Sequence, residues 1–173
     1  MADDTDDQPT AVPDADVIVV LTEQALDAGD AQRISDLHAG EDLSYRVLVP
    51  ADTERNLLAD VIDHLSMFHL REALHSLRHR TDETEARTEA GQALAASVEA
   101  LTALGVDVRG TVTEDDPIPA LRHAVEHFRA REVVVVTRPH AVEDTFHRDW
   151  ASRAREELGV PVLHVYAGTT FLG

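Results

Sequence analysis

Glu132-Val133-Val134-Val135-Val136-Thr137 decides the fold. Four consecutive valines leave no polar face, and so short a β-branched run fits a strand covered on both sides, as in the middle of a parallel sheet. A run of the same kind, Val17-Ile18-Val19-Val20-Leu21, opens the patterned part of the chain after Asp16. Three more short strands follow from similar runs at Tyr45–Val49, stopped by Pro50, at Val106–Val112 and at Val162–Tyr166.

The stretches between these strands carry helical periodicity. Residues 24–39 place Ala25, Leu26, Ile34 and Leu37 around Gly29, which predicts a weakly amphipathic helix interrupted by a turn. From Thr53, with Asp52 or Thr53 as N-cap, Leu57, Leu58, Val61, Ile62, Leu65, Phe68, Leu74 and Leu77 form one apolar stripe and predict a long helix from about 54 to 80. Thr81-Asp82-Glu83 predicts a restart, and Leu94, Val98, Leu101 and Leu104 carry a stripe on to Gly105, a C-terminal stop. Asp115-Asp116-Pro117 reads as a capped helix start, with Leu121, Ala124, Val125 and Phe128 on its core face. A last helix runs from about Glu143 to Leu158, ended by Gly159. Strands that alternate with crossover helices pair in parallel, and right-handed crossovers reduce the layouts to an open, doubly wound α/β sheet of five parallel strands with helices on both faces.

Composition bounds the chemistry. The 173 residues suit one domain, 16–173, behind an acidic tail, 1–15, whose five Asp and two Pro predict disorder. No run of 18 apolar residues and no basic, apolar leader is present, so the expectation is a cytoplasmic protein without a membrane span. The absence of cysteine excludes disulfides and thiolate chemistry. A net charge of −18 opposes binding to nucleic acid or to anionic membranes. All 15 basic residues are Arg, so no lysine is available for covalent or phosphate-loop chemistry.

The second half resembles a known family. A strand leading into Asp115-Asp116-Pro117, the helix around Ala120-Leu121, the valine strand and the closing Gly159-Val160-Pro161-Val162-Leu163-His164-Val165-Tyr166 are similar to the universal stress proteins, and the strand–helix order over residues 16–166 matches as well. The resemblance implies a sheet order of 3-2-1-4-5 and a homodimer, often formed through the last strand. It also implies departures. ATP-binding members carry a glycine-rich loop after the fourth strand, whereas Thr137 to Ser152 contains no glycine, so side chains would block the close backbone approach that phosphates need. Thr22-Glu23 stands where the family has an Asp after the first strand, and the helix at 54–80 reads as an insertion ahead of the family's second helix.

In open α/β sheets ligands bind at the carboxyl ends of the strands where strand order reverses. With the order 3-2-1-4-5 that crevice lies after strands one and four, lined by Thr22, Glu23, Thr137, Arg138 and His140, with Asp52 nearby. Arg138 and His140 would hold an anion by charge-assisted hydrogen bonds. The alternative is that Arg138 pairs with Glu23 or Asp144 and Pro139 merely stiffens the loop.

Other constellations read as structural. His123-Ala124-Val125-Glu126-His127 matches a short zinc-protease pattern, but no third ligand is spaced to complete it, so the expectation is a solvated helix face and no metal. His64, His69, His75 and His79 dot the long helix without a fixed partner. His147, Arg148 and Arg153 interleave with Asp144, Asp149, Glu156 and Glu157 as a salt-bridged surface, and Trp150 reads as core or interface packing. No nucleophile elbow or glycine-rich phosphate loop supports catalysis.

The leading expectation is a non-enzymatic, stress-associated regulatory or scaffold protein, homodimeric, without the usual ATP site and with no cofactor. Met67, Phe68, Leu70 and Leu74 on the 54–80 helix offer a surface for a protein partner. The alternative is a small-molecule binder or hydrolase that takes ATP, AMP or another anion in the crevice. A receiver-like phosphoacceptor domain shares the layer architecture but needs a lysine that this chain lacks.

Overall fold

The computed structural model describes residues 15–51, 71–114, 116–138 and 145–168, the side chains of 71–82 and 145–149 excepted. Among the described residues nine elements follow one another: β1 (Asp16–Thr22), α1 (Ala28–Asp36), β2 (Leu43–Pro50), α2 (Arg71–Thr102), β3 (Asp107–Thr113), α3 (Ile118–Phe128), β4 (Glu132–Thr137), α4 (Thr145–Glu157) and β5 (Val162–Tyr166). The strands form one sheet in the order β3-β2-β1-β4-β5, and every neighbouring pair is parallel. The valine runs thus lie where their lack of a polar face demands. Val20 of β1 sits between Val47 of β2 and Val134 of β4, and all three are fully buried.

Alternate side chains of the central strands point to opposite helical layers. On one side Ile18, Val20, Tyr45, Val47, Val134 and Val136 pack with Ala31 and Ile34 of α1 and with Ala90 and Leu101 of α2. On the other, Val19, Leu21, Leu48, Val133 and Val135 meet Leu121 and Val125 of α3 and Trp150, Ala151 and Ala154 of α4. Each fully buried Val or Leu contributes about 1.5–3 kcal/mol, so the three central strands, covered on both faces, carry most of the hydrophobic stabilisation.

Local chemistry sets the element ends, and in places it differs from the sequence expectation. Helix α1 is uninterrupted, because Gly29 falls in its first turn. Asp27 caps it, accepting from the Asp30 amide at 2.7 Å while Asp30 accepts from the Asp27 amide at 3.4 Å. Helix α2 runs without a break through Thr81-Asp82-Glu83, so the expected restart is not there. A Thr or Asp inside a helix costs at most about 0.7 kcal/mol relative to Ala, whereas a break would orphan several backbone groups. The part of the expected 54–80 helix before residue 71 lies outside the described residues, as do Met67, Phe68 and Leu70, His64 and His69, and the acidic tail up to residue 14.

At the start of α3 the Asp116 carboxylate accepts from the Ile118 amide at 3.2 Å, and the helix closes with Arg129 in the left-handed region at φ 50°. Phe128, expected on the core face, lies at the rim instead, 38% exposed beneath the Arg46 guanidinium at 5.2 Å. It is the last residue of the helix, and its ring meets Arg46 and, edge-on at 4.7 Å, His127. Edge strand β3 shows why Gly110 is bare: a Cβ there would stand 2.4 Å from Leu94 Cδ1 and 3.0 Å from the Val47 carbonyl. Among the described residues no helix is long and apolar enough to cross a membrane.

Candidate functional site

The sheet reverses direction of winding between β1 and β4, so the loops that leave their carboxyl ends diverge and open a crevice. Thr22 ends β1 fully buried, and its hydroxyl donates to the Gln24 carbonyl at 2.8 Å, a tight local turn. Two residues on, the Leu26 amide donates to Ser97 Oγ at 3.0 Å, and that hydroxyl donates to the Ala93 carbonyl at 2.7 Å. Ser97 is wholly buried, so its hydroxyl ties the loop after β1 to α2, beside the packing of Leu26 with Ala90 and Leu101. Close approach is allowed because Ala86, Ala90, Ala93 and Ser97 recur at i, i+4, i+7 and i+11, a stripe of small residues along one helix face.

From the other side, Arg138 is the first residue beyond β4. Its amide donates to Glu23 Oε1 at 2.8 Å, and its Nε donates to Gln24 Oε1. Between these loops and α2 lies a pocket of about 220 Å³, lined by Glu23, Gln24, Pro50, Glu89 and Arg138 over Ala25 and the alanines of α2. Two carboxylates and one guanidinium thus share its wall. Thr137 is buried, with its hydroxyl 2.8 Å from Nε2 of the buried His164. Beside the crevice, Asp30 accepts from the Gly168 amide at 2.8 Å and ties the turn after β5 to the first turn of α1.

Of the residues read from the sequence as a site, the structure brings Glu23 and Arg138 together. Thr22 and Thr137 stand behind them, the first with its hydroxyl turned to the Gln24 carbonyl and the second with its hydroxyl against His164 of β5. Asp52 and His140 lie outside the described residues, as do Pro139 and Asp144. The pairing of Glu23 with residue 138 is there, but it runs to the backbone amide, while Gln24 takes the guanidinium. Gln24, Glu89 and the small stripe of α2 went unread; the spacing Ala86, Ala90, Ala93, Ser97 is the signal that could have found that wall.

No family model and no curated protein matches the sequence. Solved structures do match the fold. The chain superposes on universal stress protein UspA from Lactobacillus plantarum with a TM-score of 0.55 and 12% identity, over 86% of this chain and 97% of that one. The universal stress protein from Archaeoglobus fulgidus gives 0.50 and 14% over 88% and 93%. A universal stress protein in complex with cAMP gives 0.50 and 13% over 88% and 98%.

The fold is that of the universal stress proteins. At such identities the likeness speaks for backbone architecture, and the side chains have to be read from this chain itself. On this universal stress protein fold, His123 and His127 stack with centroids 5.6 Å apart on an exposed face of α3, and no group of three or more metal-ligating residues exists among the described ones. Arg153 holds Asp116 at 3.0 and 3.1 Å, and Arg122 pairs with Glu157, so the α3–α4 surface is laced by ion pairs. The Arg153 hydrogen bond, helped by the Ile118 amide, holds the Asp116 carboxyl below the usual range against a smaller opposing effect of burial. Trp150 is buried in the core beneath α4.

The amino end of the same sheet carries a second polar group. Arg131 pairs with Glu41 and with Asp16 at 3.2 Å, and its hydrogen bond lowers the Glu41 carboxyl while both carboxylates raise the guanidinium. His38, buried, brings Nε2 to 3.4 Å from Glu132 Oε1. Burial first, and then the negative charge of Glu132 and Glu41, pushes the Tyr45 phenol up.

Proposed function

We propose that this chain is a regulatory or scaffold protein of the universal stress type that works by association, as a homodimer, and not by catalysis at the crevice. The observation that carries the reading is the contact of Glu23 Oε1 with the Arg138 amide at 2.8 Å. A backbone N–H just beyond a strand at the switch point is where a nucleotide phosphate would draw a hydrogen bond. Here a carboxylate of the chain's own takes that donor. Glu89 adds a second negative charge to the wall, so a polyphosphate meets repulsion where it would need donors.

Calorimetry with ATP, AMP and cAMP tests the reading. No saturable heat with the wild-type chain is the expected result, and micromolar binding of any of the three would overturn it. Dimerisation is supported by the edge position of β5, which pairs with β4 alone in the described sheet. Sedimentation at micromolar concentration should give twice the 19.0 kDa chain mass, and a monomer there removes that part. A second reading, a binder of small anions in the same crevice, is favoured by the exposed Arg138 guanidinium on the pocket wall.

A further inference from the structure

We infer that the crevice is an oxyanion site whose resident occupant is the chain's own Glu23 carboxylate, and that removing this carboxylate exposes a site for a phosphate-sized anion. The inference rests on the reading above that the wild-type crevice takes no nucleotide. Three features support it. The Arg138 amide meets Glu23 Oε1 at 2.8 Å, the spacing of a charge-assisted hydrogen bond. The other carboxylate oxygen, Glu23 Oε2, is shut away from solvent, so the group is seated inside the crevice and not draped over its mouth. Arg138 spends its Nε on the neutral amide oxygen of Gln24, which leaves its positive charge uncancelled by that contact.

The Arg138 amide is a donor that a carboxylate and a phosphate oxygen satisfy alike, and the same residue adds a positive charge to the pocket lining. The size of the space selects among anions. About 220 Å³ falls below the roughly 300–1,000 Å³ of pockets that enclose drug-sized ligands. That space accommodates inorganic phosphate or the phosphate head of a monoester. Glu89 on α2 faces the same space and weakens any anion, so Glu23 is the charge whose loss changes the site most. An incoming oxyanion must displace Glu23, and Glu23 belongs to the loop that Ser97 pins to α2. Occupancy by an external anion therefore breaks one of the ties between the β1–α1 loop and the end of β4, leaving the Gln24 contact with Arg138.

The experiment is calorimetric titration with inorganic phosphate at fixed ionic strength, on wild type, Glu23→Gln, Glu23→Ala and the double variant Glu23→Ala/Arg138→Ala. Glu23→Ala is expected to bind phosphate at least tenfold more tightly than wild type. Glu23→Gln, which keeps an acceptor but loses the charge, should fall between them, and the double variant, which keeps the amide of residue 138 but loses the guanidinium, should bind more weakly than Glu23→Ala. AMP in place of phosphate should gain no more than phosphate does, since only its head group enters. If Glu23→Ala keeps the wild-type circular dichroism and binds no better, or if its gain is undiminished by loss of the Arg138 side chain, the inference is overturned. Should Glu23→Ala fail to fold, Glu23→Gln decides in the same way: no gain overturns it. Tight adenylate binding by wild type would instead overturn the proposed function, while a further gain on removing Glu23 would leave the plugged site standing.

Discussion

At the amino end of the strands Arg131 lies between the carboxylates of Asp16 and Glu41, whereas at the carboxyl end Arg138 lies against a neutral Gln24 and hands its amide to Glu23. Both ends use one arginine and nearby acids. They differ in what surrounds them. The amino-end group sits over Tyr45, which is 1% exposed and packed in the core, and over the His38–Glu132 contact, so its charges close off the sheet. The carboxyl-end group surrounds a space of about 220 Å³. Parallel strands send every crossover away from the same end, and the diverging loops there leave room that the amino end lacks. Paired charge and open space thereby lie at opposite ends of one sheet.

If that division is right, the largest effect comes from the amino end. Tyr45→Ala removes a side chain wedged between Ile18 and Val108 in the strand register, and it should cost about 3–5 kcal/mol in urea unfolding. A loss below about 1 kcal/mol would mean that the amino end is not the braced one. Ser97→Ala tests the carboxyl end next. It leaves the buried Leu26 amide without its acceptor, at a cost of about 1–3 kcal/mol. The specific signature is faster hydrogen exchange at Leu26 with little change at the amides of β4; uniform acceleration would show that Ser97 supports the whole core and not the loop.

The sheet was legible because its evidence is redundant. Val133 to Val136 and Val17 to Leu21 each specify burial on both faces, and the crossovers between them allow few orders. The helices were less so. Gly29 reads as a breaker until Asp27 is seen capping two residues earlier, and Thr81-Asp82-Glu83 has the composition of a helix start without being one. Capping residues signal an end only when the chain actually turns there, and tertiary contact decides that. The site was half legible. Topology pointed to Glu23 and Arg138, but which atom of residue 138 would meet Glu23 depends on backbone direction beyond β4, which no pattern in the residues encodes. Gln24 was missed because a lone amide carries no period and no charge.

The smallest effects set the two arginines side by side. Arg131→Ala deprives Glu41 of the hydrogen bond that lowers its carboxyl below 4.5, so that carboxyl should move back up in an NMR titration. Its folded value is depressed, so the stabilisation is complete above the unfolded carboxylate range and disappears as pH falls through the folded value. The melting-point gap between wild type and Arg131→Ala should accordingly be present at pH 7 and close toward pH 3. Added salt should shrink it as well, because the pair is exposed. Arg138→Ala leaves the Glu23 contact in place, since that contact uses the backbone amide, and removes only an exposed side chain. Its stability should stay within about 0.5 kcal/mol of wild type at every pH where the protein is folded. A pH-dependent loss at Arg138 as large as the one at Arg131 would show that the carboxyl end is braced by charge in the same way. The crevice would then be a structural joint with no ligand to displace.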